Sequence, residues 1–268
     1  MKLSLGKWLL PVYSALALLF LMIPIGYTFV YSFNDSLKSN IVWRGFTLDK
    51  WLNVCNVQNG AVCEAFGNSL IIGAVATVAA TAMGTMIAIA IVRYRFKFRS
   101  QTSLLLFLPM ATPEVVLGAG LAAQFLSIGV PKDMLTIILA HTMFCISFVV
   151  VTVKARVASL DPALEEAGRD LYGSALQVFA RITFPLLLPG IMAAALLSFA
   201  LSFDDFIITN FNSGPVTTFP KYIWISAARG IPAEANVLAS AVFIFALVVV
   251  VTVQVSGAAK ARRLAKMS

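Results

Sequence analysis

The amino-acid sequence predicts an all-α integral membrane protein with six transmembrane helices and a helical elbow on its cytoplasmic side. Of the 268 residues, 60% are hydrophobic and only 12% are charged, whereas a soluble domain carries about 25% charged residues. The mean hydropathy is +0.90. Apolar stretches recur along the whole chain, so we expect one transmembrane domain over residues 1–268.

Six segments meet the requirement of about 20 mainly apolar residues for one membrane crossing. They are residues 8–33, 68–92, 102–128, 134–153, 184–211 and 235–257. The first resembles a signal peptide, because a basic tip precedes it and Ala15-Leu16-Ala17 imitates a cleavage site. Its apolar run continues to Phe33, which is too long for a signal peptide, so we interpret it as an uncleaved span.

The basic residues predict which span ends face the cytoplasm. In a soluble protein the net charge of +8 would suggest a nucleic-acid partner. Here lysines and arginines cluster at span ends, as the positive-inside rule describes. With both termini cytoplasmic, a minority of the 20 basic residues lies outside. These are Lys38, Arg44, Lys50, Lys132, Lys221 and Arg229. We expect a multi-pass protein with cytoplasmic termini, in contact with lipid and not with nucleic acid.

The loop between the first two spans, residues 34–67, lies outside in this orientation and contains Cys55 and Cys63. A disulfide between them suits an oxidising compartment, and two free thiols are the alternative. The chain has no CxxC pair and a single histidine, so we expect no metal site. That histidine, His141, falls in the fourth span, where a buried hydrogen-bonded role is favoured over a proton relay.

The third span contains an acid beside a proline, Pro113-Glu114. Proline removes a backbone donor and should bend the helix. A carboxylate inside the bilayer costs roughly 2.5–3.5 kcal/mol on insertion scales, so it normally faces protein or water. Glu114 is therefore a candidate for a cation pathway. The alternative is a structural hydrogen bond to a neighbouring polar group.

Residues 160–190 predict two short helices joined by a turn, which we name the elbow. Asp161 is a candidate N-cap, followed by a proline at the first helical position. Glu165 and Glu166 fall near the positive end of the helix dipole. Gly173 is expected to end this helix in the left-handed conformation.

The second elbow helix should open with a capping box at Ser174 and Gln177. An ordinary interfacial helix has a basic polar face and a bulky apolar face. The first elbow helix is instead acidic on its polar face and small on its apolar face, at Ala167 and Gly168. An anionic leaflet repels such a helix, which favours docking to a cytoplasmic protein over a helix lying on lipid.

The fifth span ends near an adjacent acidic pair, Asp204-Asp205. Neighbouring helical residues point about 100° apart, so we expect one carboxylate to face a pathway and the other a helix or subunit. Phe144, Phe203 and Phe206 are candidates for cation–π contacts with a cationic cargo. Simple packing is the more usual role of such aromatic residues.

The elbow resembles the EAA motif of binding-protein-dependent ABC importer permeases. That pattern is Glu-Ala-Ala, three residues, Gly, nine residues, then Ile-x-Leu-Pro. The matching positions are Glu166, Ala167, Ile182 and Pro185. Gly168 replaces the second alanine, and Phe184 replaces the leucine. Tyr172 stands where the pattern has glycine, and Gly173 follows it.

The resemblance extends over nearly the whole chain and is closest to the second permease subunit of spermidine/putrescine importers. The stretches that carry it are FVYSFN, RYRF, the Pro113-Glu114 pair, AHTMFCISFVVVTVKAR and LSFDDFIITNFNSGP. It implies the six-span type I ABC importer permease fold in a bacterial plasma (inner) membrane. It also implies polyamines as cargo.

The same resemblance implies a set of partners. They are a second homologous permease, two ATP-binding subunits and an extracytoplasmic solute-binding protein. The coupling segment would be residues 154–185, with a coupling helix at about 162–172 that docks on an ATP-binding subunit. Its implied coupling residues are Glu165, Glu166, Ala167, Gly168, Arg169, Asp170 and Gly173.

The chain lacks the G-x-x-x-x-G-K-[ST] phosphate loop. We therefore expect a permease with no catalytic residues and no cofactor of its own, because ATP and Mg²⁺ would bind to the partner ATPase. The candidate substrate path consists of Glu114, Asp204 and Asp205.

Two alternatives remain open. An importer of this class could carry another small solute, such as ferric iron or an organic cation; the acidic path residues favour a cation over sulfate or phosphate. A self-sufficient secondary transporter usually shows paired broken helices in two related halves, and the sequence shows no such halves.

Overall fold

The computed structural model describes residues 5–36, 42–56, 60–228 and 230–265. Among the basic residues used to predict topology, Lys2, Lys38, Arg229 and Lys266 lie outside the described residues. Four more, Lys7, Lys260, Arg262 and Arg263, are described by their backbone alone.

Within the described residues the secondary structure is helical, and one isolated β-bridge pairs Asn34 with Phe46. The helices are α1 Leu5–Tyr31, α2 Asp49–Leu52, α3 Gly60–Arg93, α4 Arg99–Ala111, α5 Glu114–Ser127, α6 Met134–Ala158, α7 Ala163–Asp170, α8 Ala175–Val178, α9 Phe184–Asp204, α10 Ile207–Asn212, α11 Phe219–Ala227 and α12 Ala233–Ala265. A π-helical turn, Phe179–Thr183, joins α8 to α9. The predicted all-α fold class is confirmed.

Five helical segments are long and apolar enough to cross a membrane, and the bent pair α4–α5 makes a sixth if it counts as one span. The five are Leu9–Tyr31, Gly60–Arg93, Met134–Ala158, Ala175–Asp204 and Ala233–Thr252. Each of the six segments predicted from the sequence overlaps one of these spans.

The segment predicted as a third span is two helices, α4 and α5, that meet at 106°. Thr112 and Pro113 between them are extended, each with ψ 132°. Pro113 has no N–H to continue α4, and its ring forces the preceding residue out of the helical region. The predicted bend is therefore present, and it is large enough to separate two helices.

The described chain divides into two compact units, residues 64–222 and residues 1–63 with 223–268. In the first unit α6 is central and packs against α9, α4 and α10. Small residues allow its helices to pack closely. This is common in membranes, where no hydrophobic driving force brings helices together. A Cβ atom on Gly84 of α3 would lie 2.8 Å from Val149 Cβ of α6.

The half-buried arginine Arg156 connects α6 to α9 in the same unit. Arg156 Nε and Nη2 donate to the carbonyl oxygen of Leu186 at 3.0 and 2.9 Å. The arginine stem packs against Gly190, where a Cβ atom would lie 2.8 Å from Arg156 Cβ. The arginine thereby connects the end of α6 to the backbone of the first turn of α9.

The second unit joins the two ends of the chain through α1, α2 and α12. Lys50 Nζ of α2 lies 2.9 Å from Glu234 Oε1 at the start of α12, and the two side chains are 10% and 3% exposed. Trp51 Nε1 donates to Ser32 Oγ at 3.2 Å. The structure joins Cys55 and Cys63 in a disulfide, the first of the two alternatives left open by the sequence.

Replacing Gly84 with alanine tests the α3–α6 packing. The added methyl group has no room against Val149, so we expect Gly84→Ala to lower the free energy of unfolding by about 1–3 kcal/mol. The midpoint of thermal unfolding in detergent measures this. Gly67→Ala is the matched control on the same helix, because no heavy atom lies within 4 Å of its added Cβ. Equal midpoints for the two variants would contradict the packing described.

Candidate functional site

Two helix breaks meet at one place in the unit of residues 64–222. Helix α5 begins after the break at Pro113, and α10 begins after a break at Asp205. The two helices pack closely, since a Cβ atom on Gly118 would lie 3.2 Å from Ile208 Cα. Asn212 Nδ2 donates to the Gly118 carbonyl oxygen at 3.1 Å. The start of each helix thus lies beside the other.

A cavity of about 450 Å³ lies at this junction. Its lining is mixed acidic and apolar: Glu114, Phe144, Leu197, Ala200, Leu201, Asp204, Asp205, Phe206 and Ile207. The three acids proposed from the sequence as path residues therefore lie around a single cavity. Phe144 and Phe206 line it as well, whereas Phe203 does not. Phe203 stacks on Phe199 at 5.8 Å between ring centroids, which makes it a packing residue.

The Asp205 carboxylate is engaged by hydrogen bonds within the protein. Its side chain is 5% exposed. Oδ1 accepts from the Ile208 N–H at 3.2 Å, and Oδ2 accepts from the Thr209 N–H at 2.8 Å. These are the unsatisfied donors at the start of α10, so Asp205 acts as its cap.

His141 of α6 completes this buried group. Its Nε2 atom lies 3.1 Å from Asp205 Oδ2 and 3.0 Å from Thr209 Oγ1. Its Nδ1 atom lies 2.7 Å from Ser202 Oγ of α9. The residue is 1% exposed, so the predicted buried and hydrogen-bonded histidine is confirmed. We name His141, Ser202, Asp205 and Thr209 the His141 cluster.

Glu114 and Asp204 are in the opposite situation, because both are exposed. Within the described part of the chain, neither carboxylate forms a hydrogen bond or an ion pair. Glu114 lies in the first turn of α5, where the helix dipole stabilises a negative charge. The cavity therefore presents two unpaired carboxylates beside the aromatic rings of Phe144 and Phe206, which together suit a cation.

The elbow forms a second candidate site, at the far end of α6. Helix α7 starts at Ala163 with Pro162 as its N-cap, one residue later than predicted. The Asp161 carboxylate still accepts from the Ala163 N–H, at 2.9 Å. The capping box at Ser174 and Gln177 is confirmed, with both of its hydrogen bonds formed.

The first elbow helix ends differently from the prediction. Tyr172 adopts the left-handed conformation, with φ 59°, and Gly173 does not. The Gly173 N–H donates to Gly168 O at 3.1 Å, and the Tyr172 N–H donates to Arg169 O at 2.9 Å. This is the Schellman pattern, with Tyr172 in the position that usually holds glycine.

Gly173 is required for a different reason, which is space. A Cβ atom there would lie 2.6 Å from Gly168 O and 3.2 Å from Val178 Cγ2. The expectation that Gly173 supplies the left-handed residue is therefore wrong, and the glycine instead allows the two elbow helices to touch. The left-handed conformation costs a non-glycine residue roughly 1–2 kcal/mol, and it leaves Tyr172 98% exposed.

The implied coupling residues separate into two groups. Glu166, Ala167, Arg169 and Asp170 are exposed, whereas Glu165, Gly168 and Gly173 are half-buried. Glu165 Oε1 lies 3.2 Å from Arg93 Nη2 at the end of α3. The same arginine donates to the Leu160 carbonyl oxygen at 3.3 Å. Glu165 thus points into the protein and joins α7 to α3.

Sequence reasoning missed Arg93 and Tyr172 as functional candidates. Arg93 opens the RYRF stretch that carries the family resemblance, but nothing in the local sequence indicated its contact with Glu165. Tyr172 did carry a signal, because it replaces the glycine of the EAA pattern. A substitution at a position that needs a left-handed residue points to that conformation directly.

The family model "Binding-protein-dependent transport system inner membrane component" matches residues 62–266. The match covers well over half of the chain, and the chain belongs to this family. The prediction of a permease component, and not an enzyme, is confirmed by this membership. The family also fits a multi-pass protein of a bacterial inner membrane.

Two individual relatives are permease proteins of polyamine transport systems. The chain is 38% identical over 229 residues to the putrescine transport system permease protein PotI of Escherichia coli K12, covering 82% of this chain and 80% of that protein. It is 34% identical over 236 residues to the spermidine/putrescine transport system permease protein PotC of the same strain, covering 88% of each.

A solved structure confirms the fold. A chain of a bacterial ABC transporter involved in the import of the acidic polysaccharide alginate superimposes with a TM-score of 0.66. The alignment covers 96% of this chain and 98% of that one at 15% identity. At this identity the likeness concerns the fold alone, which is that of an ABC importer permease.

The elbow turn predicts different outcomes for its two glycines. Gly173→Ala places a methyl group against the Gly168 backbone oxygen, so the turn has to open. We expect trypsin to cleave after Arg169 several-fold faster than in the wild type, because proteolysis follows local opening. In Gly168→Ala the new Cβ would lie 2.6 Å from Ile182 Cδ1 and 3.2 Å from Val178 Cγ2. Both neighbours are side-chain atoms, which can shift without opening the backbone turn. Equal cleavage rates for both variants would refute this account of the turn.

Proposed function

We propose that this chain is the permease subunit of an ATP-driven ABC importer that moves polyamines, such as putrescine and spermidine, into the cytoplasm. The observation that carries the proposal is the pair of unpaired carboxylates, Glu114 and Asp204, at one cavity. Two relatives named for putrescine or spermidine/putrescine transport support the choice of cargo.

The chemistry of the cavity lining suits this cargo. A polyamine alternates ammonium groups with short methylene chains. Carboxylates at Glu114 and Asp204 attract the ammonium groups, and the rings of Phe144 and Phe206 add cation–π attraction. Leu197 and Leu201 supply apolar surface for the methylene chains. Asp205 lines the same cavity, but its carboxylate is already engaged by the protein.

The proposed complex contains a second permease, two ATP-binding subunits that hold ATP and Mg²⁺, and an extracytoplasmic solute-binding protein. The elbow would dock on an ATP-binding subunit from the cytoplasmic side. Both termini are proposed to lie on that side as well, since the basic residues at the span ends favour it.

Within the elbow, the geometry supports two roles: exposed residues contact a partner, and Glu165 connects the elbow to α3. The exposed residues Glu166, Arg169 and Asp170 are the ones available to a partner. Tyr172 and its exposed neighbour Leu171 extend the same surface. Glu165 faces Arg93, so a displacement of α7 on ATP binding would reach α3 through this ion pair.

Neutralising the cavity acids tests the substrate path. In a reconstituted complex we expect Glu114→Gln and Asp204→Asn each to reduce uptake of radiolabelled spermidine and putrescine by about tenfold or more. Each variant removes one charge that binds a cation. ATPase activity stimulated by the binding protein should be retained. Glu64→Gln, an exposed acid outside the cavity, is the control and should transport normally.

The outcome also separates the alternatives. No polyamine uptake by the wild type, together with ATPase stimulation by another solute and its binding protein, would retain the importer and discard the cargo. Uptake by the purified chain alone, driven by an ion gradient, would favour a secondary transporter.

Reversing one elbow charge tests the docking. We expect Glu166→Lys to abolish uptake and to uncouple it from ATP hydrolysis, because the exposed carboxylate of Glu166 would meet the partner directly. Insertion into the membrane should be unchanged, which the amount of purified protein measures. Glu64→Lys makes the same charge change away from the elbow and should transport normally. Normal uptake by Glu166→Lys would count against the docking role.

A further inference from the structure

Three elements of the protein meet at the imidazole of His141. The ring lies on α6, Ser202 lies near the end of α9, and Thr209 lies on α10. Asp205 occupies the break between α9 and α10, and it contacts the same imidazole. Every one of these contacts is at 3.1 Å or less. The cluster therefore fixes the backbone where one helix stops and the next begins.

A neutral imidazole satisfies this arrangement. With the proton on Nε2, the ring donates towards Asp205 and Thr209, and Nδ1 accepts from the Ser202 hydroxyl. No other described residue donates a side-chain N–H to Asp205. Without His141, the buried carboxylate would lose a charge-assisted hydrogen bond in a low-dielectric site, where an unpaired charge is strongly disfavoured.

The adjacent position depends on this arrangement. Asp204 is the last residue of α9, and Asp205 is extended, with ψ 125°. As long as Asp205 points towards His141, the preceding carboxylate is directed to the cavity, because consecutive side chains at such a break point in different directions. Asp204 is exposed, and Asp205 is not.

We infer that His141 is a positioning residue for cargo binding, which holds Asp205 inward so that Asp204 alone of the pair meets the cation. This inference rests on the proposed function and deepens it. His141 itself does not touch the cargo. Its effect on transport passes through the α9–α10 break.

A kinetic experiment on the reconstituted complex tests this role, with spermidine and putrescine as cargo. His141→Leu keeps similar bulk and removes the hydrogen bonds. We expect it to raise the KM for uptake by about tenfold, with the maximal rate and the stimulated ATPase activity within about twofold of the wild type. His141→Gln, which restores an N–H near Nε2, should recover most of the affinity.

A double-mutant cycle shows whether the effect passes through Asp205. Asp205→Asn should raise the KM much as His141→Leu does, and the double variant should be no worse than either single variant. Ser147→Ala removes another buried polar group from α6 and should leave the KM unchanged. Ser202→Ala removes a single contact and gives a milder variant with the same direction of effect.

The inference is overturned by an unchanged KM in His141→Leu, or by effects of His141→Leu and Asp205→Asn that multiply. A fall in maximal rate at constant KM would also overturn it, since that result describes a structural or gating role. Absence of polyamine uptake by the wild type is a different result, because it overturns the proposed cargo and this inference together.

Discussion

A helix that begins inside a bilayer exposes backbone N–H groups that lipid cannot satisfy. The rest of this structure depends on how that requirement is met at Asp205. The carboxylate accepts from the N–H groups of Ile208 and Thr209 and thereby allows α10 to begin a few residues after α9 ends. A charge used in this way needs a partner, and His141 is the partner. The cavity exists because the helix break exists, and the break is possible because this carboxylate is buried and paired.

The elbow also has to satisfy backbone groups at a helix end, and it does so with backbone hydrogen bonds instead of a side chain. Its two helices touch through Gly168 and Gly173, and its turn closes through backbone hydrogen bonds. Tyr172 adopts the strained left-handed conformation at the turn between the two helices. Such strain persists only where the surrounding structure determines it. The Arg93–Glu165 ion pair then joins α7 to the end of a long membrane helix. A short, stiff segment is suited to passing on a displacement without absorbing it.

Much of this arrangement could be predicted from local signals. Hydropathy located the spans, the capping box at Ser174 and Gln177 identified the second elbow helix, and the cost of intramembrane charge selected Glu114 and the aspartate pair. The contact of His141 with Asp205 could not be predicted, because 64 residues separate the two. The left-handed residue was assigned to Gly173 because conformational preference favours glycine. Steric demand from Val178 and Gly168 proved to be the stronger constraint at that position.

The ion pair between Lys50 and Glu234 has a consequence for the order in which the protein is made. The two residues are 184 positions apart, and both are buried once they meet. Ribosomes add about 5–20 residues per second, so Lys50 emerges roughly 10 to 40 s before its counter-ion exists. During that interval Lys50 has no Glu234 to pair with, and burying its unpaired charge would be strongly disfavoured. The unit that contains α1, α2 and α12 can therefore be completed only after α12 has been synthesised.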